Sequence, residues 1–539
     1  MDGQRVPVLI VGGSLVGLSA SLLLAVRGIE HVLVERHTGT AIHPRAAMFH
    51  QRTMEIFREV GLQDEVEAAA EREFVQNGAI VAVESLAGRE LKYFFRSVNA
   101  GVEQLSPTSR VFITQVGLEP VVRGRAAELG ADHRFGTDLV DFEQSDDGVV
   151  CVIQPRAGGP RETLVAQYLI AADGAHSSVR TRLGIGMLGW GAFADCVTIY
   201  FKADVRDLIG ERNLSVVYVN HPELLGFFRF AITSDSGFLA VFSTTRPDGT
   251  QDRQVGKDMS RQRCVELVRT ALGAPGLPVE IDDVQRWDAT AAYAERYRDG
   301  RIFLAGDAAH VMPPTGGFGG NTGVADVHNL AWKLAMTLSG VAGPGLLDSY
   351  AAERAPVGAL TTEQAYTRYV LRVDPSLSDD GLAAAVDDPS IELGALYRSA
   401  AVDAGPSGTG GPALDDPMRP TGRVGTRLPH LPIELDGVAP STLDLAGPGF
   451  TLLAAAEGQA WCRAAAEVAA ATNVPLTAHL VAGTGPVVDP AGGFAAAVGL
   501  PPAGAVLVRP DGVIAWRGEH PGAQPAADLR RVLFAVLDR

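Results

Sequence analysis

Cysteine is scarce in this chain: Cys151, Cys196, Cys264 and Cys462 are the four in 539 residues, and they stand far apart. Without a CxxC pair there is neither a disulfide framework nor a clustered zinc site to read. No metal is expected, and the pattern fits a reducing, cytoplasmic setting. Positive charge is also short, with 46 Lys and Arg against 63 Asp and Glu, a net of −17. That balance argues against nucleic acid or an anionic membrane as a partner, though not against a small anion held by a few backbone amides. Aromatic residues make up 6% and charged residues 20%, while Ala, Val and Leu are plentiful, which describes a folded chain. Runs both long and apolar enough to span a bilayer are lacking as well, with residues 6–26 the one superficial candidate. Pro7, Gly12, Gly13 and Gly17 interrupt that run, so it reads as strand, turn and helix rather than a membrane span. A length of 539 predicts about three or four domains.

What is present begins at that turn. Val8-Leu9-Ile10-Val11 predicts a short buried strand, residues 18–27 a helix, and His31-Val32-Leu33-Val34 a second strand ending at Glu35. Strand, Gly-rich turn, helix, strand and then an acid about 20 residues on is the βαβ dinucleotide fingerprint, whose helix N-terminus suits a pyrophosphate. Gly12 makes the tight turn and Gly17 lets the helix pack closely, with Ser14, Leu15 and Val16 at the junction and Glu35 placed for a ribose. The middle glycine of the motif is replaced by Ser14, whose side chain predicts a strained approach to phosphate.

Two further motifs follow. Residues 168–180 run from a strand into Asp173-Gly174-Ala175-His176-Ser177-Ser178-Val179-Arg180. Residues 301–323 run from Ile302-Phe303-Leu304 into Gly306-Asp307-Ala308-Ala309-His310 and on through Pro313-Pro314 to Gly316-Gly317-Phe318-Gly319-Gly320-Asn321. Asp307 closes a buried strand, where a carboxylate accepts hydrogen bonds from polyol hydroxyls. Pro314 has no N–H to donate and suits a wall, and Gly319, Gly320 and Asn321 open a helix over residues 322–338 whose N-terminus favours an anion.

Three such motifs in this order resemble the class A flavoprotein aromatic monooxygenases, the para-hydroxybenzoate hydroxylase type, and the whole-length pattern resembles the aromatic polyketide hydroxylases of the aklavinone hydroxylase kind. The resemblance implies an α/β fold: a Rossmann-like FAD-binding domain at 1–185 and 286–374, an inserted antiparallel substrate sheet at 186–285, a linker at 375–424, and a thioredoxin-like C-terminal domain at 425–539 without CxxC. It implies bound FAD, with Asp307 on the ribityl chain, Gly317 beside the flavin, Asp173 at the shared cofactor and nicotinamide motif, Arg45 on the pyrophosphate and Gln115 on the ribityl and flavin. Arg36 is left between adenine and the nicotinamide nucleotide, Arg180 reads as an anchor of the fold, and His310 as structural or flavin-adjacent. NADPH or NADH would reduce the flavin, O2 would give a C4a-hydroperoxide, and one oxygen would pass to an electron-rich ring.

Between the second and third motifs, residues 196–203, 214–220, 225–232 and 238–244 alternate as strands of the substrate sheet. Tyr218, Phe228 and Phe230, with Phe227, line either a pocket or a core. Tyr366, Tyr369 and Arg372 share a helix face, with Arg372 the one candidate catalytic side chain and Tyr369 a substrate contact. The expected partner is a polycyclic aromatic small molecule of antibiotic biosynthesis, with the protein a monomer or homodimer. Gly320 predicts room above the flavin for a multi-ring substrate. Insertion beside a ketone or ring cleavage by the same chemistry stays open, as does a flavin-binding module without turnover.

Overall fold

The computed structural model describes residues 3–42, 48–246, 248–377, 381–403, 413–435 and 437–539. Among these residues three sheets form. The first is built on the N-terminal strand Gln4–Val11, flanked in parallel by His31–Glu35 and Glu162–Ala171 and, further out, by Ile302–Leu304 and Asp132–Phe135. Its central strands read as unbroken apolar runs because both faces are buried, with Phe142, Val149, Cys151 and Ile153 of the strands Thr137–Ser145 and Gly148–Pro155 in the same core as the helix Leu15–Val26. The helix Leu15–Val26 is correspondingly buried on most of its circumference. Register decides where the chemistry goes. Val11 pairs with Val34 and with Ala171, and Ala171 pairs with Leu304, so four strands end in one row. Gly12, Glu35, Asp173 and Asp307 all follow that row, at the carboxyl edge where open α/β sheets bind ligands.

The second sheet runs in the order His310–Val311, Glu280–Ala294, Met187–Lys202, Ser236–Thr245, Leu224–Phe230, Leu214–His221, Ala79–Val83, Glu90–Phe95. It is wider than residues 186–285, because strands at 79–95 join one edge, with Ala79–Val83 parallel to Leu214–His221. Strand Ala79–Val83 is buried throughout, and the Asn77-Gly78 turn before it is a signal that the sequence reading passed over. One face of this sheet packs on the helix Arg261–Leu272 through Phe201, Phe228 and Phe230 against Cys264, Leu267 and Val268. The other faces the long helix Asp348–Arg372, with Tyr218, Phe242 and Ala289 against Tyr369.

The third sheet holds the strands Phe450–Ala454, Leu476–Ala482, Ala505–Val508 and Ile514–Gly518, with the helices Gln459–Ala471 and Pro525–Val536 packed on it. This is the thioredoxin-like domain, and its Ala505–Val508 and Ile514–Gly518 hairpin turns at Pro510-Asp511-Gly512. Cys462 lies inside the Gln459–Ala471 helix, half-buried, and burial pushes its thiol up. The expected linker is more than a connection. Residues 381–403 contain the helix Asp388–Leu393, whose Ile391 and Leu393 are buried, and its acids Asp388 and Glu392 reach arginines of the first two layers. Proline, glycine and aspartate made this stretch look unstructured, yet its buried side chains fasten it down. No helix among the described residues is long and apolar enough to cross a membrane.

Candidate active site

At the first turn, a Cβ on Gly12 would stand 2.2 Å from the Ala172 carbonyl oxygen and one on Gly17 would stand 1.8 Å from that of Gly12. Glycine is obligatory at both. Glu35 accepts from the Gly13 amide at 2.6 Å and from the His37 amide at 2.8 Å, bracing the turn against the second strand. The Ser14 backbone is extended, at φ −91°. Its hydroxyl donates to Glu119 at 2.6 Å, and the same oxygen accepts the Leu15 amide at 2.9 Å. Glu119 also accepts the Ala41 amide at 2.7 Å, while the Gln115 amide nitrogen approaches Ser14 Oγ at 3.4 Å. Leu15 and Ser14 thus spend these donors on a buried carboxylate, which the sequence reading passed over although Glu119 lies one helical turn from Gln115. Val16 packs on the Gly306 turn. Arg36 is exposed at the rim, and Arg45 lies outside the described residues.

Asp173 caps the short helix Ser178–Arg182, accepting from the Ser177 hydroxyl at 2.5 Å and from the Val179 amide at 3.1 Å. Arg180 ties this motif to the third, donating to the Ala308 carbonyl at 2.9 Å and to Ala175 at 2.9 Å, as an anchor would. Asp307 is exposed although Gly306 and Ala308 on either side are buried. The turn that presents it is held from below. Asp326, fully buried, accepts from the Gly306 amide at 3.1 Å, from His310 Nε2 at 2.7 Å and from Arg354 Nε at 2.8 Å. Burial alone would raise the Asp326 carboxyl, but His310 and Arg354 hold it below the ordinary range. His310 is therefore structural. Asp326 was missed because it lies far along the chain from the turn it holds.

The helix opens earlier than residue 322, at Phe318, capped by Gly317. Gly319 and Gly320 fall in its first turn, half-buried, and Pro314 is exposed beside them. Asn321 is committed to protein. Its Oδ1 accepts the His50 amide at 2.8 Å and the Thr53 hydroxyl at 2.6 Å, and its Nδ2 donates to Met48 at 3.0 Å and Gly317 at 2.6 Å. It bolts the start of the helix Gln51–Glu59 to the Gly317 loop instead of pointing at a ligand.

On the substrate sheet, strand alternation separates the aromatic candidates. Tyr218 pairs with Phe227 across the neighbouring strand, and Val217 pairs with Phe228. Phe228 and Phe230 therefore face the Arg261–Leu272 helix and belong to its core, with Phe201. They are not pocket residues. Tyr218 and Phe227 face the long helix and begin a file of rings. Successive centroids are 6.0 Å apart to Phe227, 5.7 Å to Phe242, 5.2 Å to Tyr369, 4.9 Å to Phe193, 5.1 Å to Tyr366 and 4.5 Å to Trp190. Tyr369 is buried inside this file, and burial pushes its phenol up. Phe193 and Phe227 are half-buried and Trp190 is 41% exposed, so the file reaches from the interior to solvent.

Arg372 closes the inner end. It lies beside the Tyr218 phenol, 5.2 Å from the centroid of Phe94 and 3.9 Å from Asp388. Burial pushes the Tyr218 phenol above its ordinary value, against the pull of Arg372. Asp388 itself is held low by Arg368 and Arg372 despite burial.

A row of strand ends, a glycine cradle, an exposed carboxylate at the third motif and a helix N-terminus without acids in its first turn together fit an elongated dinucleotide with a polyol. The comparisons agree. The chain matches the FAD binding domain model over residues 5–365 and the model for the aromatic-ring hydroxylase C-terminal domain over residues 421–539. It is 49% identical to 4-methyl-5-nitrocatechol 5-monooxygenase of Burkholderia sp. over 537 residues, covering 99% of this chain and 98% of that one. It is 40% identical to tetracenomycin B2 monooxygenase-dioxygenase of Streptomyces olivaceus over 553 residues, with both chains covered completely. The structure of aklavinone-11 hydroxylase with FAD and aklavinone superposes with a TM-score of 0.93 at 38% identity, over 100% of each chain.

Proposed function

Because this chain belongs to the FAD-dependent aromatic-ring hydroxylases, we propose that it adds one oxygen to a phenolic ring held as its phenolate between Arg372 and Tyr218. The observation that carries this reading is the Arg372 guanidinium beside the Tyr218 phenol at the end of an aromatic file. A protonated tyrosine and an arginine both donate. Together they lower the pKa of a bound phenol and keep its oxygen in place, and a phenolate is the more nucleophilic ring. Bound FAD supplies the redox chemistry, taking electrons from NADPH or NADH and activating O2. The chain's own part is to hold the ring against it and exclude water. Asp307, Glu35, Gly12, Gly17, Gly317, Gly319 and Gly320 are the residues proposed to hold the cofactor, with Asp173 and Gln115 acting through the turns that they brace.

The substrate proposed is a polycyclic aromatic of the polyketide kind. A file of seven rings from Tyr218 to Trp190 is longer than one ring requires, and the relatives named for tetracenomycin B2 and aklavinone support the same size. A second reading, a single-ring substituted catechol, is favoured by the relative with 49% identity. The test is turnover of a panel holding polycyclic phenols and nitrocatechols under 18O2, with NAD(P)H consumption and product mass measured together. Coupled consumption and one 18O atom in a polycyclic product are expected. Coupling with nitrocatechols alone transfers the assignment to the second reading. Two oxygens or an altered ring skeleton mean ring insertion or cleavage, and no stimulated consumption by any phenol means a binding module.

A further inference from the structure

The C-terminal domain meets the rest of the chain at several charged points, among them Arg427 with Glu55 and Arg58 with Asp444 at 2.8 Å, and the most deeply buried is at Arg509. Arg509, with no exposed surface, donates to both oxygens of Glu353 at 2.6 and 2.9 Å and to both oxygens of Asp511 at 2.9 and 2.5 Å. Glu353 also accepts from Lys333 at 2.8 Å, Asn329 at 2.7 Å and Ser399 at 2.6 Å. The Asp511 carbonyl accepts from Arg52 at 2.7 Å. One hairpin turn thus grips three helices: Gln51–Glu59 through Arg52, Phe318–Leu338 through Asn329, which donates to Asp511 at 3.3 Å, and Asp348–Arg372 through Glu353.

Two of these grips lead on through short chains of contacts to the Gly306 and Gly317 turns. Arg354, next to Glu353, donates to Asp326 and, at 3.1 Å, to the Thr322 carbonyl, and Asp326 holds the Gly306 amide. Arg52 adjoins Thr53, which with the His50 amide holds Asn321, and Asn321 holds Gly317. A buried charge network is a poor source of stability, since apolar replacements of equal volume are often neutral or better. Its best-attested use is to fix register. A network spanning a domain interface, with each of its acids answered by Arg or Lys, fits that use.

We propose that the Pro510-Asp511-Gly512 turn is a positioning element for the flavin, with Arg509 its principal residue. Acting through Glu353 and Arg52, it sets the Gly306-Asp307 turn and the Gly317 end of the Phe318–Leu338 helix relative to each other. This gives the thioredoxin-like domain a task independent of thiol chemistry. It rests on the reading that those two turns face the flavin.

The test uses full-length protein and three variants, reading FAD dissociation by flavin fluorescence and the flavin midpoint potential. Arg509→Lys breaks the two-oxygen grip on Glu353. Leu453→Ala removes a side chain from the C-terminal domain's own core, away from the network, and serves as the control for lost stability. Asp307→Asn tests the underlying placement of the flavin. At comparable loss of Tm, Arg509→Lys weakens FAD binding by about tenfold and shifts the potential, while Leu453→Ala moves neither. Equal effects of the two, or no effect of Arg509→Lys, overturn the proposal. If Asp307→Asn leaves FAD binding unchanged, the placement of the flavin is what fails. Where Arg509→Lys does not fold, Arg52→Gln at a partly exposed side chain takes its place, with a smaller shift in the same direction expected and unchanged affinity counting against the proposal.

Discussion

Tyr218 and Phe228 lie on adjacent strands one register position apart, and that single step separates a candidate substrate contact from a core residue. Side chains alternate across a strand, so the partner of Phe227 faces the long helix and the partner of Phe228 faces Arg261–Leu272. Composition and local pattern showed aromatic strands here, but the facing of each ring depends on which helix covers which face. That is a tertiary fact. The consequence is measurable. Arg372→Lys keeps a charge but loses the planar fork, and we expect it to lower kcat/KM by about tenfold to a hundredfold, with kcat carrying most of the loss. Tyr218→Phe removes one donor to the phenolate, with a smaller fall in kcat and an acid limb of the pH profile moved to higher pH. Phe228→Leu should lower stability by about 1 kcal/mol and leave both kinetic constants alone. Were Phe228→Leu to raise KM while Tyr218→Phe did nothing, the assignment of faces would be reversed.

At the scale of elements, the helix Gln51–Glu59 and the helix Phe318–Leu338 are joined at two points. Asn321 joins them at the Gly317 loop, and Glu59 joins them further along, accepting from His328 at 2.7 Å and pairing with Arg27 at 3.0 Å. Although burial works against it, His328 and Arg27 hold the Glu59 carboxyl down at about 2 against an ordinary 4.5. A carboxyl depressed on folding stabilises the protein above its unfolded pKa, and that contribution fades as pH falls from about 4.5 towards 2. Glu59→Gln should therefore lower Tm at pH 7, by a free energy of about 1 kcal/mol because water screens the exposed carboxylate's pairs, and lose less stability than the parent between pH 5 and pH 2. Parallel Tm curves for the two proteins over that range would refute it. The second of these helices, Phe318–Leu338, was legible apart from its first turn. The early start at Phe318 was not, because Gly319 and Gly320 argue against a helix locally and only the packing of Phe318 and the Asn321 bolt make one. Asp388 and Glu392 were hidden for the related reason that a Pro- and Asp-rich stretch reads as a linker until its arginine partners, Arg368 and Arg110, are brought to it.

The molecule as a whole was most legible where three motifs fell in order, because each sits at a strand end and the parallel register of the first sheet carries them to one edge. The joints between its layers were least legible, since they are made of residues distant in sequence. Trp332, Met336 and Leu346 of the FAD-binding region share one apolar core with Phe450, Leu452, Trp461 and Leu537 of the C-terminal domain. Above that core lies the buried Arg509–Glu353 network. Cutting the chain between them would expose a large apolar face and strand charges in it, which costs more than a typical domain's whole stability margin of about 5–15 kcal/mol allows to be lost piecemeal. The layers should therefore unfold together. Calorimetry of the full chain is expected to show one cooperative transition, with C-terminal variants such as Leu453→Ala moving it as a whole. Two separable transitions, with Leu453→Ala shifting one alone, would show that the C-terminal domain stands on its own core and that the shared interface contributes little.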